Sequence, residues 1–219
     1  MPPIRVLLVD DHAVFCDALS AILGLEADIQ VVGRGGTVKE AVEAARRLEP
    51  DVVLLDVHMP DGSGVDATAA IKKYRPQTQV VILTSDEEES VLLAAVNAGV
   101  TGYLSKHEAV PQVLQAVRSA AQGEALIAPY MLARLLEGME RSVAPQPLTP
   151  LSPRELSVLT ELSAGSGNEV IARKLRMSPN TVRTHVQNIL SKLGVHSKLE
   201  AVAMAIREGW VHIPQQPAA

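Results

Sequence analysis

Short, nearly unbroken runs of aliphatic residues recur through the first half of this chain, and they restrict its fold more than any other feature. They fall at Val6–Val9 (reaching back to Ile4), Gln30–Gly33, Val52–Leu55, Val80–Leu83 and Gly102–Leu104. A strand that is apolar at every position has no face to turn to water. It is buried on both sides, as in a parallel sheet covered by helices. The intervening segments carry helical signals. Thr37-Val-Lys-Glu40 reads as a capping box opening a helix over Val38–Leu48, with Val38, Ala41, Val42, Ala45 and Leu48 on one face. Val110, Val113, Leu114 and Val117 repeat the pattern in the last helix of this half. Five strand–helix units in residues 1–123 predict an α/β fold: a flavodoxin-like, doubly wound, five-stranded parallel sheet of order 2-1-3-4-5.

In such a sheet the carboxyl ends of the strands form one rim, where ligands bind. Asp10 and Asp11 follow the first run, Asp56 the third, Thr84 the fourth and Lys106 the fifth. Each of these residues alone reads as a turn or surface residue, but their joint placement after successive strands describes a metal-assisted phosphoryl acceptor. Carboxylates about 4 Å apart repel by about 4 kcal/mol at a surface-like dielectric, so the group calls for a cation. Oxygen donors with open positions suit Mg²⁺. Asp56 is the expected nucleophile, Lys106 the counter-ion of the incoming group and Thr84 a hydrogen-bond donor to it. Gly62 and Gly64 let the following loop wrap the site. Two competitors are weaker. A phosphatase using Asp10 would want an Asp-x-Asp loop, and a flavin module would want a hydroxyl- and glycine-rich phosphate loop where Asp10-Asp11-His12 stands.

Residues 129–143 show apolar residues at helical spacing, and three prolines follow between Ala144 and Pro150. Residues 124–149 therefore read as a linker with a helix and a semi-rigid spacer, the latter roughly 20 Å long if extended. Charge changes across it. Residues 1–149 carry 12 Lys and Arg against 20 Asp and Glu, whereas residues 150–219 carry 8 against 5. This basic second half reads as four short helices. Ser152-Pro-Arg-Glu155 is a capping box, Ser178-Pro179 and Ser197-Lys-Leu-Glu200 open further helices, and another covers 169–175. In the third helix Val182, Val186, Ile189, Leu190 and Leu193 form the core stripe, opposite Asn180, Arg183, Thr184, Gln187, Asn188 and Ser191. Two tightly joined helices, the second polar and basic outside, form a helix-turn-helix suited to a DNA major groove. A lone cysteine, Cys16, fits a reducing compartment and a packing role. No apolar run reaches the roughly 18 residues of a membrane span, so a cytoplasmic protein is expected.

Residues 1–123 resemble a response-regulator receiver domain, through Val6-Leu-Leu-Val-Asp-Asp-His12, Val53-Leu-Leu-Asp-Val-His-Met-Pro60, Val81-Ile-Leu-Thr-Ser85 and Gly102-Tyr-Leu-Ser-Lys106. Residues 150–219 are similar to LuxR-type DNA-binding domains, through Leu151-Ser-Pro-Arg-Glu155 and Ser178-Pro-Asn-Thr-Val-Arg-Thr-His-Val-Gln-Asn-Ile-Leu190. Together they resemble the NarL/FixJ family of transcriptional regulators. The resemblance implies that a sensor histidine kinase phosphorylates Asp56, with Mg²⁺ held by Asp10, Asp11, Asp56 and the His58 backbone carbonyl. It implies a switch formed by Thr84 and Tyr103, the ring turning inward as Thr84 moves toward the phosphate. It further implies base contacts from Arg183, Thr184 and Gln187, phosphate contacts from Asn180, Thr181 and Lys192, and homodimerisation through Leu199–Glu208. Double-stranded DNA is the implied target and RNA polymerase a further candidate partner. Catalysis would be confined to the chain's own phosphorylation and dephosphorylation. Without phosphate, the receiver is expected to pack on the second domain and mask either the recognition helix or the dimer helix.

Overall fold

The structure, a computed structural model, describes residues 2–85, 89–124, 126–127 and 150–211. The expected linker helix and the proline spacer lie outside these residues.

The first half alternates as expected. β1 (Ile4–Val9), α1 (Ala13–Leu23), β2 (Ile29–Gly35), α2 (Val38–Leu48) and β3 (Val52–Leu55) are followed by a small hairpin of β4 (His58–Met59) and β5 (Gly62–Ser63). Then come α3 (Gly64–Tyr74), β6 (Gln79–Thr84), α4 (Glu89–Asn97), β7 (Gly102–Ser105), α5 (Val110–Ala121) and β8 (Leu126–Ile127). The sheet runs β2-β1-β3-β6-β7-β8, with every neighbouring pair parallel. The order of the five expected strands is the predicted one. The two-residue β8 adds a sixth at the edge by pairing with Gly102 and Tyr103. It is too short for a pattern of period two to reveal it.

Alternation along each strand divides the core. Leu7, Val9, Val53, Leu55, Val80 and Ile82 pack with Ala41, Ala44, Ala67, Ile71, Leu92 and Val96 of α2, α3 and α4. Val6, Leu8, Val52, Leu54, Val81 and Leu83 pack on the other side with Cys16, Leu19, Val113 and Val117 of α1 and α5. Burial on both faces explains why the strands read as unbroken apolar runs. Cys16 takes the packing role expected of it.

The second half consists of α6 (Pro153–Ser163), α7 (Asn168–Leu175), α8 (Pro179–Leu193) and α9 (Lys198–Arg207). Three of their four starts are those the sequence marks. Ser152 Oγ accepts from Glu155 N while the Glu155 carboxylate accepts from Ser152 N, a complete capping box. Ser178 Oγ accepts from Thr181 N, and Ser197 Oγ from Glu200 N. At α2 the box is half made. Thr37 Oγ1 accepts from Glu40 N at 3.1 Å, but the Glu40 carboxylate reaches past Thr37 to Gly36 N at 2.8 Å.

Helix α9 is buried at Ala201, Val202, Ala203, Met204 and Ala205 in succession. A helix apolar all round needs two partners. Ala201, Val202, Met204 and Ala205 join the core of the second half, with Val158, Ile171, Val182 and Ile189. Leu199 and Ala203, one turn apart, belong instead to the core of the first half, on the side of α4.

Candidate functional site

The rim of the sheet gathers the expected residues. The carboxylates of Asp10, Asp11 and Asp56 and a ring nitrogen of His12 offer donor atoms that all lie within 4.8 Å of one another. Asp56 is only 4% exposed and Asp10 is similarly buried. Strand β1 delivers Asp10 and β3 delivers Asp56, their registers locked by Asp56 N donating to Val9 O at 2.9 Å and Asp10 N to Gly35 O at 3.0 Å. Lys106, just beyond β7, places Nζ 2.6 Å from Asp10 Oδ2 and 2.7 Å from Asp56 Oδ2. One ammonium thus bridges the two buried acids, as charge repulsion requires. Burial pulls the Lys106 pKa down, but hydrogen bonds to Asp10 and Asp56 outweigh it, and the net shift is upward. The other Asp56 oxygen, Oδ1, accepts from Val57 N at 2.7 Å.

The loop after Asp56 is held against the site. Gly64 N donates to Val57 O at 2.7 Å. A Cβ at Gly64 would collide with the Asp56 carbonyl, so this position needs glycine for close approach. Asp61 ties the same loop to α2 by accepting from Val38 N at 2.7 Å and Lys39 N at 3.1 Å. The backbone hydrogen bonds from Lys39 and Val38 hold the Asp61 carboxyl below the usual carboxylate range. This residue caps a helix that is remote in sequence, which local spacing cannot reveal. His58 lies on β4 with its side chain exposed.

Thr84 ends β6 and is fully buried. Tyr103 sits on the neighbouring strand, paired with Ile82, and is 1% exposed. The ring is already inside, in the cluster that holds Leu92, Ala95, Val96, Leu199 and Ala203. Leu199 and Ala203 of α9 cover this side of the receiver.

In the second half, Asn180, Thr181, Arg183, Thr184 and Gln187 all lie exposed on α8. Arg183 Nη1 donates to Asn180 Oδ1 at 2.8 Å, aligning two of them. Lys192 departs from this set. Its Nζ is 2.7 Å from an oxygen of the buried Glu155 carboxylate, so it supports the α6 capping box while its side chain stays 30% exposed. Burial would raise the Glu155 pKa, but hydrogen bonds from Lys192 and Ser152 overcome it and set it at about 2. Among the described residues, His185 Nδ1 is buried without a hydrogen-bond partner.

The two halves meet through α9 and the start of α7. The helix α7 has Gly167 at its N-cap, which offers no side-chain acceptor. Glu124, just after α5, supplies one: its Oε1 accepts from Asn168 N at 3.1 Å. Lys198 closes the same cleft, donating to Asn168 Oδ1 at 2.9 Å, and burial brings its pKa down to about 8. At the end of α4, Gly99 adopts φ +92° against His196, whose Cβ would be 2.9 Å from any Cβ added there. The contact thus covers α9 and leaves the polar face of α8 open. Gly167 sits directly against Glu124, whose Oε1 would lie 2.5 Å from any Cβ added there.

Comparison with known proteins agrees with this division. The profile of the response regulator receiver domain matches residues 6–118, and that of the bacterial regulatory proteins of the luxR family matches residues 149–205. The response regulator protein VraR of Staphylococcus aureus is 37% identical over 208 residues, which cover 95% of this chain and 99% of VraR. The crystal structure of ChrA, a response regulator in a heme-sensing two-component system, matches 96% of this chain and 100% of its own at 34% identity and TM-score 0.53. The receiver domain of the response regulator NarL from Mycobacterium tuberculosis covers 57% of this chain and all of its own at 30% identity and TM-score 0.55. The acid rim, the bridging lysine and the exposed helix-turn-helix face thus sit in a member of the response-regulator family that joins a receiver domain to a LuxR-type DNA-binding domain.

Proposed function

We propose that this response regulator is a phosphorylation-switched transcription factor whose receiver accepts a phosphoryl group on Asp56 from a sensor histidine kinase. The observation that carries this reading is Lys106 Nζ bridging Asp10 and Asp56 at 2.6 and 2.7 Å. The ammonium offsets part of the negative charge of the two buried acids and is placed to ion-pair with an incoming anion. The oxygens of Asp10, Asp11 and Asp56, with the His58 carbonyl, form a hard donor set that suits Mg²⁺. When bound, the ion would offset charge on the transferring phosphoryl group. In the transfer, an Asp56 carboxylate oxygen forms a bond to phosphorus as the phosphorus–nitrogen bond of the donor histidine breaks. Lys106 then ion-pairs with the phosphoryl group, and Thr84 donates a hydrogen bond to it. The chain's catalysis ends with the formation and hydrolysis of this acyl phosphate.

The output follows from the packing. Tyr103 shares a cluster with Leu199 and Ala203 of α9. Displacement of Thr84 toward the phosphate disturbs that cluster and frees α9 for pairing with a second copy. Two copies then place Arg183, Thr184 and Gln187 on two half-sites of double-stranded DNA about one helical turn apart, with RNA polymerase as a downstream contact. Taking such a switch from 1:99 to 99:1 requires about 5.5 kcal/mol of differential stabilisation.

The test is labelling by a small-molecule phosphodonor. The wild-type chain gains one phosphoryl mass and the Asp56→Asn variant gains none. Undiminished labelling of that variant overturns the reading.

A further inference from the structure

We propose that Arg176, in the turn joining α7 to α8, contacts the phosphate backbone of double-stranded DNA from a backbone conformation that otherwise suits glycine. The inference rests on the reading of α8 as the helix that enters DNA. Among the described residues, two that are not glycine adopt a left-handed backbone: Glu49 at φ 47° and Arg176 at φ 53°. An L side chain is strained there, because its Cβ crowds the following carbonyl oxygen. Both residues cap the C-terminus of a helix. At α7 the turn is fixed by Met177 N donating to Ala172 O at 2.9 Å, with Arg176 N reaching Arg173 O at 3.4 Å. Glycine is the usual residue in such a cap.

Contacts within the chain account for one of these two side chains. The Glu49 carboxylate pairs with Arg75 at 2.7 Å. Arg176 is exposed, and its guanidinium has no hydrogen bond or ion pair among the described residues. This sets it apart from Lys174, Lys192 and Lys198, which acceptors of the second half hold at 2.6, 2.7 and 2.9 Å. Arg173, three residues earlier on α7, is exposed and unpaired among the described residues as well. No acidic residue occurs between Val170 and Leu199 to neutralise the two.

The position suits a phosphate. In a helix-turn-helix the second helix enters the major groove by its N-terminal end, while the first crosses the backbone. The turn between them lies at the groove edge, where the phosphates run. Arg176 stands two residues before Ser178, the N-cap of α8. Its guanidinium can donate two parallel hydrogen bonds to one phosphate. Such a contact reads no base but fixes the register of the helix that does. Replacement by glycine removes the strain and the charge together, so stability and DNA binding should move in opposite directions.

The experiment measures binding of phosphodonor-treated full-length protein to a labelled duplex of mixed sequence at several salt concentrations. The duplex is roughly 30 base pairs long, enough for two half-sites one helical turn apart. Wild type, Arg176→Gly and Arg176→Lys are compared, with a melting curve for each. Each lost phosphate contact lowers the slope of log affinity against log salt by about 0.9, which is about 8-fold between 1 M and 0.1 M salt. Arg176→Gly should show this loss per bound copy yet melt no lower than wild type, because relief of the strain offsets the freedom of glycine in the unfolded chain. Arg176→Lys should keep the wild-type slope, since the charge remains. An unchanged slope in Arg176→Gly overturns the contact. So does an equal loss in Arg176→Lys, or a loss that comes with a lower melting temperature, which marks a residue acting through the fold. Failure of wild type to bind the duplex at any salt concentration overturns the reading of α8 as a DNA-binding helix, and the contact with it.

Discussion

Replacing Glu124 with alanine should switch on DNA binding in the unphosphorylated protein while leaving the phosphorylated form unchanged. In the closed arrangement the Glu124 carboxylate accepts from Asn168 N and supplies the cap that Gly167 cannot. Losing a helix cap costs about 0.5–2 kcal/mol, and a hydrogen bond to a charged group is worth about 1.5–3 kcal/mol. Water replaces part of this at the open cleft, so about 1–2 kcal/mol is the expected loss, a factor of about 5–30 in the closed-to-open ratio. From a starting ratio of 99:1, the open fraction rises from about 1% to about 5–25%, and the apparent affinity for DNA rises in proportion. Glu124 touches neither the acid rim nor the exposed face of α8, so the phosphorylated protein keeps its affinity. The assay is a titration of labelled operator DNA against wild type and variant, each with and without phosphodonor. An unchanged affinity of the unphosphorylated variant, or an equal change in both forms, refutes the latch.

Further predictions address the other elements. Arg183→Ala should weaken specific DNA binding by about 1–3 kcal/mol with phosphodonor labelling unchanged. Lys192→Ala should act on stability first, because it leaves the buried Glu155 carboxylate without its ion pair. About 1–3 kcal/mol should be lost in thermal or denaturant unfolding of the full chain. Thr84→Ala should accept the phosphoryl group yet fail to gain DNA affinity, separating labelling from output in parallel assays. Glu200 predicts a pH dependence. Burial raises its pKa from 4.5 to about 7 against hydrogen bonds from the backbone at His196 and Ser197. A raised acid contributes stability that is full below pH 4.5 and is lost as pH rises through about 7. Wild type should therefore lose stability relative to Glu200→Gln between these values and stay level above them, as read by paired melting curves.

The parts of this molecule that were legible in the sequence are those set by local chemistry. The strands declared themselves because burial on both faces removes polar residues from Leu7–Val9 and Val52–Leu55. The helix starts at Ser152, Ser178 and Ser197 were legible because a cap is written within three residues of its helix. The placement of Asp10, Asp56 and Lys106 around one point followed from strand order alone. What escaped depends on contacts between distant segments. The Asp61 carboxylate caps α2 from 22 and 23 residues away, and Glu124 caps α7 from 44 residues away. The Lys192–Glu155 pair spans 37 residues and gives an expected DNA contact a structural partner. Leu199–Ile206 is apolar except at Glu200, but nothing local to it names the receiver as its second partner.

The central claim is that phosphorylation of Asp56 is what converts this chain into a specific DNA-binding dimer. It is tested most directly by capturing genomic DNA with full-length protein treated with phosphodonor, using wild type and Asp56→Asn side by side. The account predicts that phosphorylated wild type enriches discrete fragments carrying two-fold sites, whereas Asp56→Asn enriches no more than the untreated protein. Equal enrichment by the two proteins would contradict it.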